Sequence, residues 1–252
     1  MTGGRFQGGG EGERISLSVF FPCYNEEANV ANTVGQALEV LEQLKGDFEV
    51  IVVDDGSKDA TGRIADELAA KDGRVKAVHH PTNRGYGAAL QSGFRAATKE
   101  LVFYTDGDGQ FDMHEMPALL PLMKEYDIVS CYRLNRQDNA IRKLNAWCWT
   151  KLVCFLFHLR LKDIDCAFKL FKRAIFDHIE MRSTGALIDT EVLARAVRRG
   201  YTVTQRGVHH YPRRAGQQTG ANLRVILRAF KELLKLRRQI LADASASSEH
   251  GR

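Results

Sequence analysis

No apolar run in this 252-residue chain reaches the ~20 residues needed to span a bilayer, so no membrane-crossing helix is expected. Cysteine is scarce too. Cys23, Cys131, Cys148, Cys154 and Cys166 are scattered without Cys-x-x-Cys spacing. An odd, dispersed set suits reduced intracellular thiols rather than a disulfide framework or a zinc site. Residues 1–13 are glycine-rich and charged and lack an apolar centre, so they read as a disordered leader rather than a secretory signal. Internal repeats are absent, and low complexity is confined to that leader and an Ala/Ser tail after Asp243. These absences place the protein on the cytoplasmic side, soluble or peripheral. What is present is a 44% hydrophobic fraction, ample for a large core, and a net charge of +5. A basic balance points to anionic partners: phosphates, an anionic lipid surface or nucleic acid.

Apolar strands alternate with helical patterns through the first half. Strands are predicted at 15–21, 48–53, 75–79, 101–104 and 128–131, and helices at 26–44, 61–70, 87–97 and 113–124. Such alternation predicts a doubly wound, mostly parallel α/β sheet, whose ligands sit at the carboxyl ends of its strands. After Arg133 the alternation is lost and the chain becomes richer in helix and basic residues.

The polar residues of interest fall at those strand ends. The run Leu101–Tyr104 stops at Asp106 and Asp108, with Gly107 between and Gln110 just beyond. Two carboxylates at a sheet edge let a hard divalent ion bridge them to a diphosphate, although a polar turn would use the same residues. The first strand ends in PCYNEEANV, which can set Tyr24 and Glu26 beside a base and ribose or simply open a helix with acidic residues. The second ends in Asp54 and Asp55, suited to a nucleobase edge, with Ser57 or Asp59 as a helix cap. Adjacent carboxylates on the buried side are costly without a partner, which favours a ligand role. In NRGYGAALQSGF, Gly85 and Gly87 flank Tyr86 at a helix mouth, where backbone can approach a ligand or pack closely on the sheet. The Lys-Ser/Thr ending of a Walker loop is missing.

In this order, the motifs PxYNEE, VVDDGS, NRGxGxA and D-x-D-x-Q resemble the family 2 glycosyltransferases over roughly residues 16–133. Within that family the resemblance leans to the polyprenyl-phosphate hexose synthases of the dolichol-phosphate mannosyltransferase type. It implies a GT-A fold and a Mg²⁺ or Mn²⁺ cofactor held by Asp106, Asp108 and Gln110 against the diphosphate of a nucleotide-sugar donor. It also implies a nucleoside held by Pro22, Tyr24, Glu26, Asp54, Asp55 and Gly85. In the second half Arg133 matches an expected arginine, and Asp163–Arg173 resembles an Asp-x-x-Ser-Gly-Phe-Arg element with Cys166 and Ala167 in place of Ser and Gly. Glu191 falls where the family carries a helix-borne acid. The segment 209–220 keeps Arg213 and Gly216 of an Arg-x-x-Gly-x-Ser-Lys loop but has Gln218 and Thr219 for Ser-Lys, with Arg214 or His210 to compensate.

Two stretches bear on membranes. Residues 144–161 are apolar and aromatic, with Lys151 and His158 interrupting, and suit either the headgroup region or a core helix. Residues 223–241 put leucines and Phe230 on one helical face and Arg224, Arg228, Lys231, Lys235 and Arg238 on the other. The expectation is a transferase domain over 14–220, a basic amphipathic helix over 221–242 and a disordered tail over 243–252. The partners expected are a nucleotide-diphosphate sugar, a polyprenyl phosphate and an anionic membrane at its inner face, with no nucleic acid. Asp108, Arg133, Arg213 and Glu191 are the catalytic candidates. A hydroxyl acceptor would need a base, for which Glu191, Asp163 and Asp165 are available. A basic module that binds membrane or nucleic acid without catalysis would leave Asp54, Asp55, Asp106 and Asp108 unmotivated.

Overall fold

The computed structural model of the chain describes residues 14–134, 140–212 and 223–249, with side chains in its two longest helices described for 143–157 and 230–243. The order is β1 (Ser16–Cys23), α1 (Val30–Leu44), β2 (Asp47–Asp54), α2 (Thr61–Lys71), β3 (Val75–His79), α3 (Tyr86–Ala96) and β4 (Leu101–Thr105). A 3-10 helix (Met113–Lys124), β5 (Ile128–Ser130), β6 (Tyr132–Leu134), α4 (Ala140–Phe157) and β7 (Phe168–Lys172) follow. The chain continues with α5 (Ile175–His178), α6 (Ile188–Arg198), β8 (Val203–Thr204), β9 (Gly207–His209) and α7 (Leu223–Glu249).

Seven strands form one sheet in the order β3-β2-β1-β4-β7-β5-β8. Strands β1 to β4 are parallel, and β1 and β2 are buried along nearly their whole length. Helices on both faces explain why these strands read as continuous apolar runs rather than alternating ones. Register sets the site: Cys23 lies opposite Asp54, Asp54 opposite His79, and Phe20 opposite Tyr104, so the carboxyl ends of four strands finish side by side. The order reverses between β1 and β4, which opens the crevice where doubly wound sheets bind ligands. Phe20, Phe94, Phe171 and Phe176 pack beneath it, with ring centroids 4.0–5.6 Å apart along the chain of contacts.

The doubly wound α/β architecture is as predicted, with several differences, among them the short strands β6, β8 and β9. The first helix begins at Val30 rather than 26, because residues 25–27 are tied to the turn after β2. The segment 113–124 is 3-10 rather than α-helical: Pro117 and Pro121 remove two backbone donors, and Asp112 caps its start by accepting from the His114 N–H at 2.9 Å. β7 was not predicted; it enters antiparallel between β4 and β5. Its sequence, FKLFK, hides a strand because Lys169 is fully buried and breaks the apolar run. Finally, α7 continues to Glu249, past the boundary expected at 242. A separate two-stranded parallel pair, β6 and β9, sets Arg133 opposite Val208.

Candidate active site

Two turns are laced together above β1 and β2. Asn25, held at a left-handed φ of 57°, donates its N–H to Ser57 Oγ at 3.0 Å and accepts from the Lys58 N–H at 2.8 Å. The Glu26 N–H reaches Thr61 Oγ1 at 2.8 Å, and the Ala60 N–H reaches Glu27 Oε2 at 2.8 Å. Glu26 is thereby drawn inward, where its Oε2 accepts from Asn29 Nδ2 at 2.7 Å, while Tyr24 is left exposed at the rim. Pro22 is buried within β1, and its carbonyl accepts from the Gly107 N–H at 3.4 Å, joining the first strand end to the acidic turn.

The adjacent carboxylates Asp54 and Asp55 both have protein partners, so the expected cost of burying them does not arise. Asp54 accepts from the Ser57 N–H at 2.9 Å and lies 3.2 Å from His79 Nδ1. Burial opposes the charge on His79, but Asp66 and Asp54 on either side of the ring raise its pKa above the ordinary value. Asp55 works inward: it meets His80 Nδ1 at 2.6 Å and accepts from the N–H groups of Arg84 and Gly85 at 2.8 and 2.9 Å. Its carboxylate shapes the loop that carries the glycines.

That loop docks on residues 183–185. Gly85 holds φ at +96°, and a Cβ there would sit 2.6 Å from the Thr184 carbonyl oxygen. The same carbonyl accepts from the Gly87 N–H at 2.9 Å and from the Ala88 N–H at 3.3 Å. The mouth of α3 is therefore capped by protein, and close packing rather than ligand approach explains both glycines.

At the end of β4, Asp106 and Asp108 are half-buried. Tyr86 Oη donates to Asp106 Oδ1 at 3.0 Å, and Asp108 Oδ1 accepts from the Gln110 N–H at 3.1 Å. Desolvation first and the Asp108 charge second push Asp106 up to about 7, against the opposing Tyr86 hydrogen bond. Gln110 faces the other way: its Nε2 donates to the Tyr211 carbonyl at 2.9 Å, and its own carbonyl accepts from the Tyr211 N–H at 2.8 Å. A bridge between Phe111 and His210 completes this link between the acidic turn and the strand that ends at His209. Among the described residues no group of three or more His, Cys, Asp or Glu side chains is placed to hold a metal. Two half-buried carboxylates nonetheless fit Mg²⁺ or Mn²⁺, which is commonly held by one or two carboxylates plus substrate phosphates rather than by an all-protein cage. Mutual repulsion at Asp106 is what a cation there would relieve.

Arg133 is not presented to solvent as a lone cation. Its Nε and Nη2 form a two-pronged pair with Asp163 at 2.7 and 2.9 Å, leaving one nitrogen of the guanidinium outside that pair. Asp165, two residues on, is exposed, yet the protein behind it and the carboxylates of Asp189 and Asp163 push it up to about 6. Glu191 is fully buried and its oxygens are occupied: Arg195 Nε donates to Oε1 at 2.8 Å, and the N–H groups of Arg182 and Ser183 donate to Oε2 at 3.0 and 2.6 Å. Through these contacts Glu191 fixes the 182–185 turn on which Gly85 and Gly87 rest. Arg213, Arg214, Gly216, Gln218 and Thr219 lie outside the described residues.

Sequence reasoning passed over Lys169, Asp189 and the hydroxyl of Tyr86. Lys169 is buried beneath the crevice, its Nζ 2.8 Å from Asp189 Oδ1, 3.2 Å from Tyr104 Oη and 2.6 Å from the Cys166 carbonyl, while Tyr104 Oη also donates to Asp189. Burial opposes the ammonium charge, but the Asp189 carboxylate more than offsets it and holds the pKa above the ordinary lysine value. A lysine inside an apolar strand was the one available signal.

Comparison with known proteins places this geometry. Residues 18–180 match the family described as glycosyl transferase family 2. Glycosyltransferase AglD of Haloferax volcanii is 35% identical over 79% of this chain and 34% of its own length. Undecaprenyl-phosphate 4-deoxy-4-formamido-L-arabinose transferase of Aeromonas hydrophila is 35% identical over 64% of this chain and 50% of its own. Dodecaprenyl-phosphate galacturonate synthase of Rhizobium johnstonii is 30% identical over 67% and 51%. The chain thus spans about a third to a half of the length of these curated relatives. Among solved structures, mannosyl-3-phosphoglycerate synthase from Rubrobacter xylanophilus superposes with a TM-score of 0.68 at 16% identity, over 92% of this chain and 75% of that one. Glucosyl-3-phosphoglycerate synthase from Mycobacterium tuberculosis, in complex with Mn²⁺, UDP and glucosyl-3-phosphoglycerate, gives 0.61 at 19% identity, over 90% and 78%. At such identities the likeness speaks for the fold, which is the GT-A fold.

Proposed function

The chain belongs to glycosyl transferase family 2, and from that premise we propose that it moves a hexose, with inversion, from a nucleotide-diphosphate sugar of the GDP-mannose or UDP-glucose type to a polyprenyl phosphate. The observation that carries the reading is the pair Asp106 and Asp108 at the switch point, with Asp106 held up to about 7 by burial and by its neighbour. Relatives named for undecaprenyl and dodecaprenyl phosphate support the acceptor.

In this reading Tyr24, Glu26 and Asp54 face the nucleoside, with His79 steadying Asp54. Asp55 and Gly85 shape the loop beside it. Asp106 and Asp108 would hold Mg²⁺ or Mn²⁺, which neutralises charge on a departing diphosphate when bound. Gln110 fastens the acidic turn to the segment that ends at His210. Arg133, oriented by Asp163, and Arg213 attract the acceptor phosphate. A phosphate oxygen attacks the anomeric carbon in line, the bond to the diphosphate oxygen breaks, and its electron pair leaves with the nucleoside diphosphate. The acceptor is already an anion at neutral pH, so no proton needs to be removed.

One observation favours a second acceptor class. A hydroxyl nucleophile needs a base, and Asp165, exposed and raised to about 6, has suitable basicity near neutral pH. Turnover by the purified full chain separates the two. UDP-glucose, UDP-galactose, UDP-N-acetylglucosamine and GDP-mannose would each be incubated with Mg²⁺ or Mn²⁺, with and without polyprenyl phosphate, and followed by mass spectrometry. Donor consumption that depends on the lipid phosphate supports the first reading; consumption indifferent to it moves the acceptor to a hydroxyl; no consumption of any donor removes both.

Metal affinity carries a pH signature. Asp106 keeps a proton below about 7, and a metal must displace it. Mn²⁺ binding measured calorimetrically should therefore tighten from pH 6 to pH 8 and release protons at the lower pH. The same shift makes the metal-free protein lose stability as pH rises from about 4 through 7, because the folded state holds a proton there that the unfolded chain has given up. Metal should restore more stability at pH 8 than at pH 5. Equal affinity at both pH values would contradict the assignment of Asp106.

A further inference from the structure

We propose that Tyr86 is the positioning residue of the acidic pair: its hydroxyl fixes the Asp106 carboxylate in the attitude from which that group and Asp108 receive a divalent ion. This role deepens the reading of Asp106 and Asp108 as a metal site and rests on it. Among the described residues the Tyr86 hydroxyl makes the one hydrogen bond to the Asp106 side chain, at Oδ1 and 3.0 Å. Oδ2 is left outside that bond. Asp108 has a tether within its own turn, the Gln110 N–H. Asp106 is held across space instead, by a residue 20 positions back at the mouth of α3.

The chemistry of the contact suits a cation site. The terminal torsion of an aspartate is broad, so a carboxylate with no partner presents its oxygens in many directions. One donor at Oδ1 removes that freedom. Because the donor is a neutral hydroxyl, it orients the group without cancelling the negative charge that a cation needs. A lysine or arginine in its place would compete with the metal. Carboxylates that ligate metals are themselves hydrogen-bonded as a rule, and those outer partners set the geometry of the ligand.

A hydroxyl can aim a carboxylate only if its own backbone is fixed, and Tyr86 is bracketed on both sides. The Gly85 N–H is held by Asp55 Oδ2 at 2.9 Å, and the Gly87 N–H by the Thr184 carbonyl at 2.9 Å. One turn further along α3, Gln91 Nε2 donates to the Ser183 carbonyl at 2.9 Å. Residues 182 and 183 are tied in turn to Glu191, which Arg195 holds from its other oxygen. A Cβ on Gly87 would lie 2.4 Å from the Ser183 carbonyl oxygen and 2.7 Å from that of Gly185, so the mouth of α3 has no slack toward that turn. The Tyr86 ring is half-buried and packs against the core. Asp55, Thr184 and Glu191, from three separate parts of the chain, thus converge on the placement of one hydroxyl. Both buried carboxylates among them support the site from behind.

The test is Tyr86→Phe, which keeps the ring and its packing and removes only the hydroxyl. Mn²⁺ alone would be titrated into the full chain, without donor or acceptor, and the free ion followed by electron paramagnetic resonance. The variant should bind Mn²⁺ about 10- to 100-fold more weakly than wild type, the scale on which outer partners of metal ligands act. Its metal-free Tm should stay close to that of wild type, which separates positioning from a structural role. A second arm asks whether the hydroxyl acts through Asp106. Turnover of Asp106→Ala/Tyr86→Phe should equal that of Asp106→Ala, because the hydroxyl has nothing left to orient. A further fall in the double variant would place the hydroxyl on the substrate and overturn the positioning role. So would a Tyr86→Phe protein with wild-type Mn²⁺ affinity, or one whose weaker binding comes with a large drop in Tm. The reading beneath it fails differently. Mn²⁺ binding that depends on Tyr86, with no donor ever consumed, would remove glycosyl transfer and leave the positioning role standing. Turnover that persists in EDTA, by a wild type that binds no Mn²⁺, would remove the metal site and the role of Tyr86 with it.

Discussion

Asp108→Asn is expected to lower kcat by roughly 10²–10³-fold, the scale seen when one preorganised electrostatic partner of a developing charge is removed. The substitution keeps the side-chain oxygen that accepts from the Gln110 N–H, so the turn should hold its shape. What disappears is one of the two charges on which a divalent ion would rest. Thermal stability of the metal-free protein should not fall, because the Asp108 charge is the second largest influence raising Asp106. Losing it should also bring the Asp106 pKa down toward the ordinary carboxylate range. The signature is thus a large loss of turnover, weakened Mn²⁺ binding and an unchanged or raised Tm. A variant with wild-type kcat, or one that loses activity by unfolding, would contradict the role given to Asp108.

Lys169→Met should instead act through stability. Lys169 is fully buried, and its Nζ touches Asp189, Tyr104 and the Cys166 carbonyl within 3.2 Å. Removing one partner of a buried pair leaves the other charge uncompensated, at a cost of about 3–5 kcal/mol. Against a typical domain stability of about 5–15 kcal/mol that is a severe loss. The double variant Lys169→Met/Asp189→Leu takes both charges away and should recover much of it, because replacing a buried pair by apolar groups is often close to neutral. Denaturant unfolding of the wild type and the two variants measures this. Equal destabilisation in the single and double variants would show that the pair is not coupled as drawn.

These two residues mark how far the sequence could be read. Asp108 was legible because strand alternation places it at a strand end, and a strand end in a parallel sheet is where ligands bind. β1 to β4 were legible for the same reason: with both faces covered, they appear as plain apolar runs. Lys169 was not legible, since a charged residue inside a five-residue strand looks like a break in it, and its partner Asp189 is 20 residues away in sequence. The antiparallel β7 was lost with it. Glu191 shows the converse limit. Its position on a helix could be foreseen, but not that two backbone N–H groups and Arg195 would claim its oxygens. The sequence leaves two meanings open for the glycines at 85 and 87, and the Thr184 carbonyl that decides between them comes from about 100 residues downstream. Strand ends are set by local pattern; which groups a carboxylate meets is set by the tertiary fold.

The chemical form of the product separates transfer to the lipid phosphate from every other outcome. The full chain would be incubated with polyprenyl phosphate, Mg²⁺ or Mn²⁺ and each nucleotide sugar, and the lipid fraction examined by mass spectrometry and phosphorus NMR. A lipid heavier by one hexose is expected, with its phosphate converted from a monoester to a diester. This product should disappear with EDTA and in Asp108→Asn. A lipid phosphate that remains a monoester while the sugar appears on a hydroxyl, or in no product at all, would contradict transfer to the lipid phosphate.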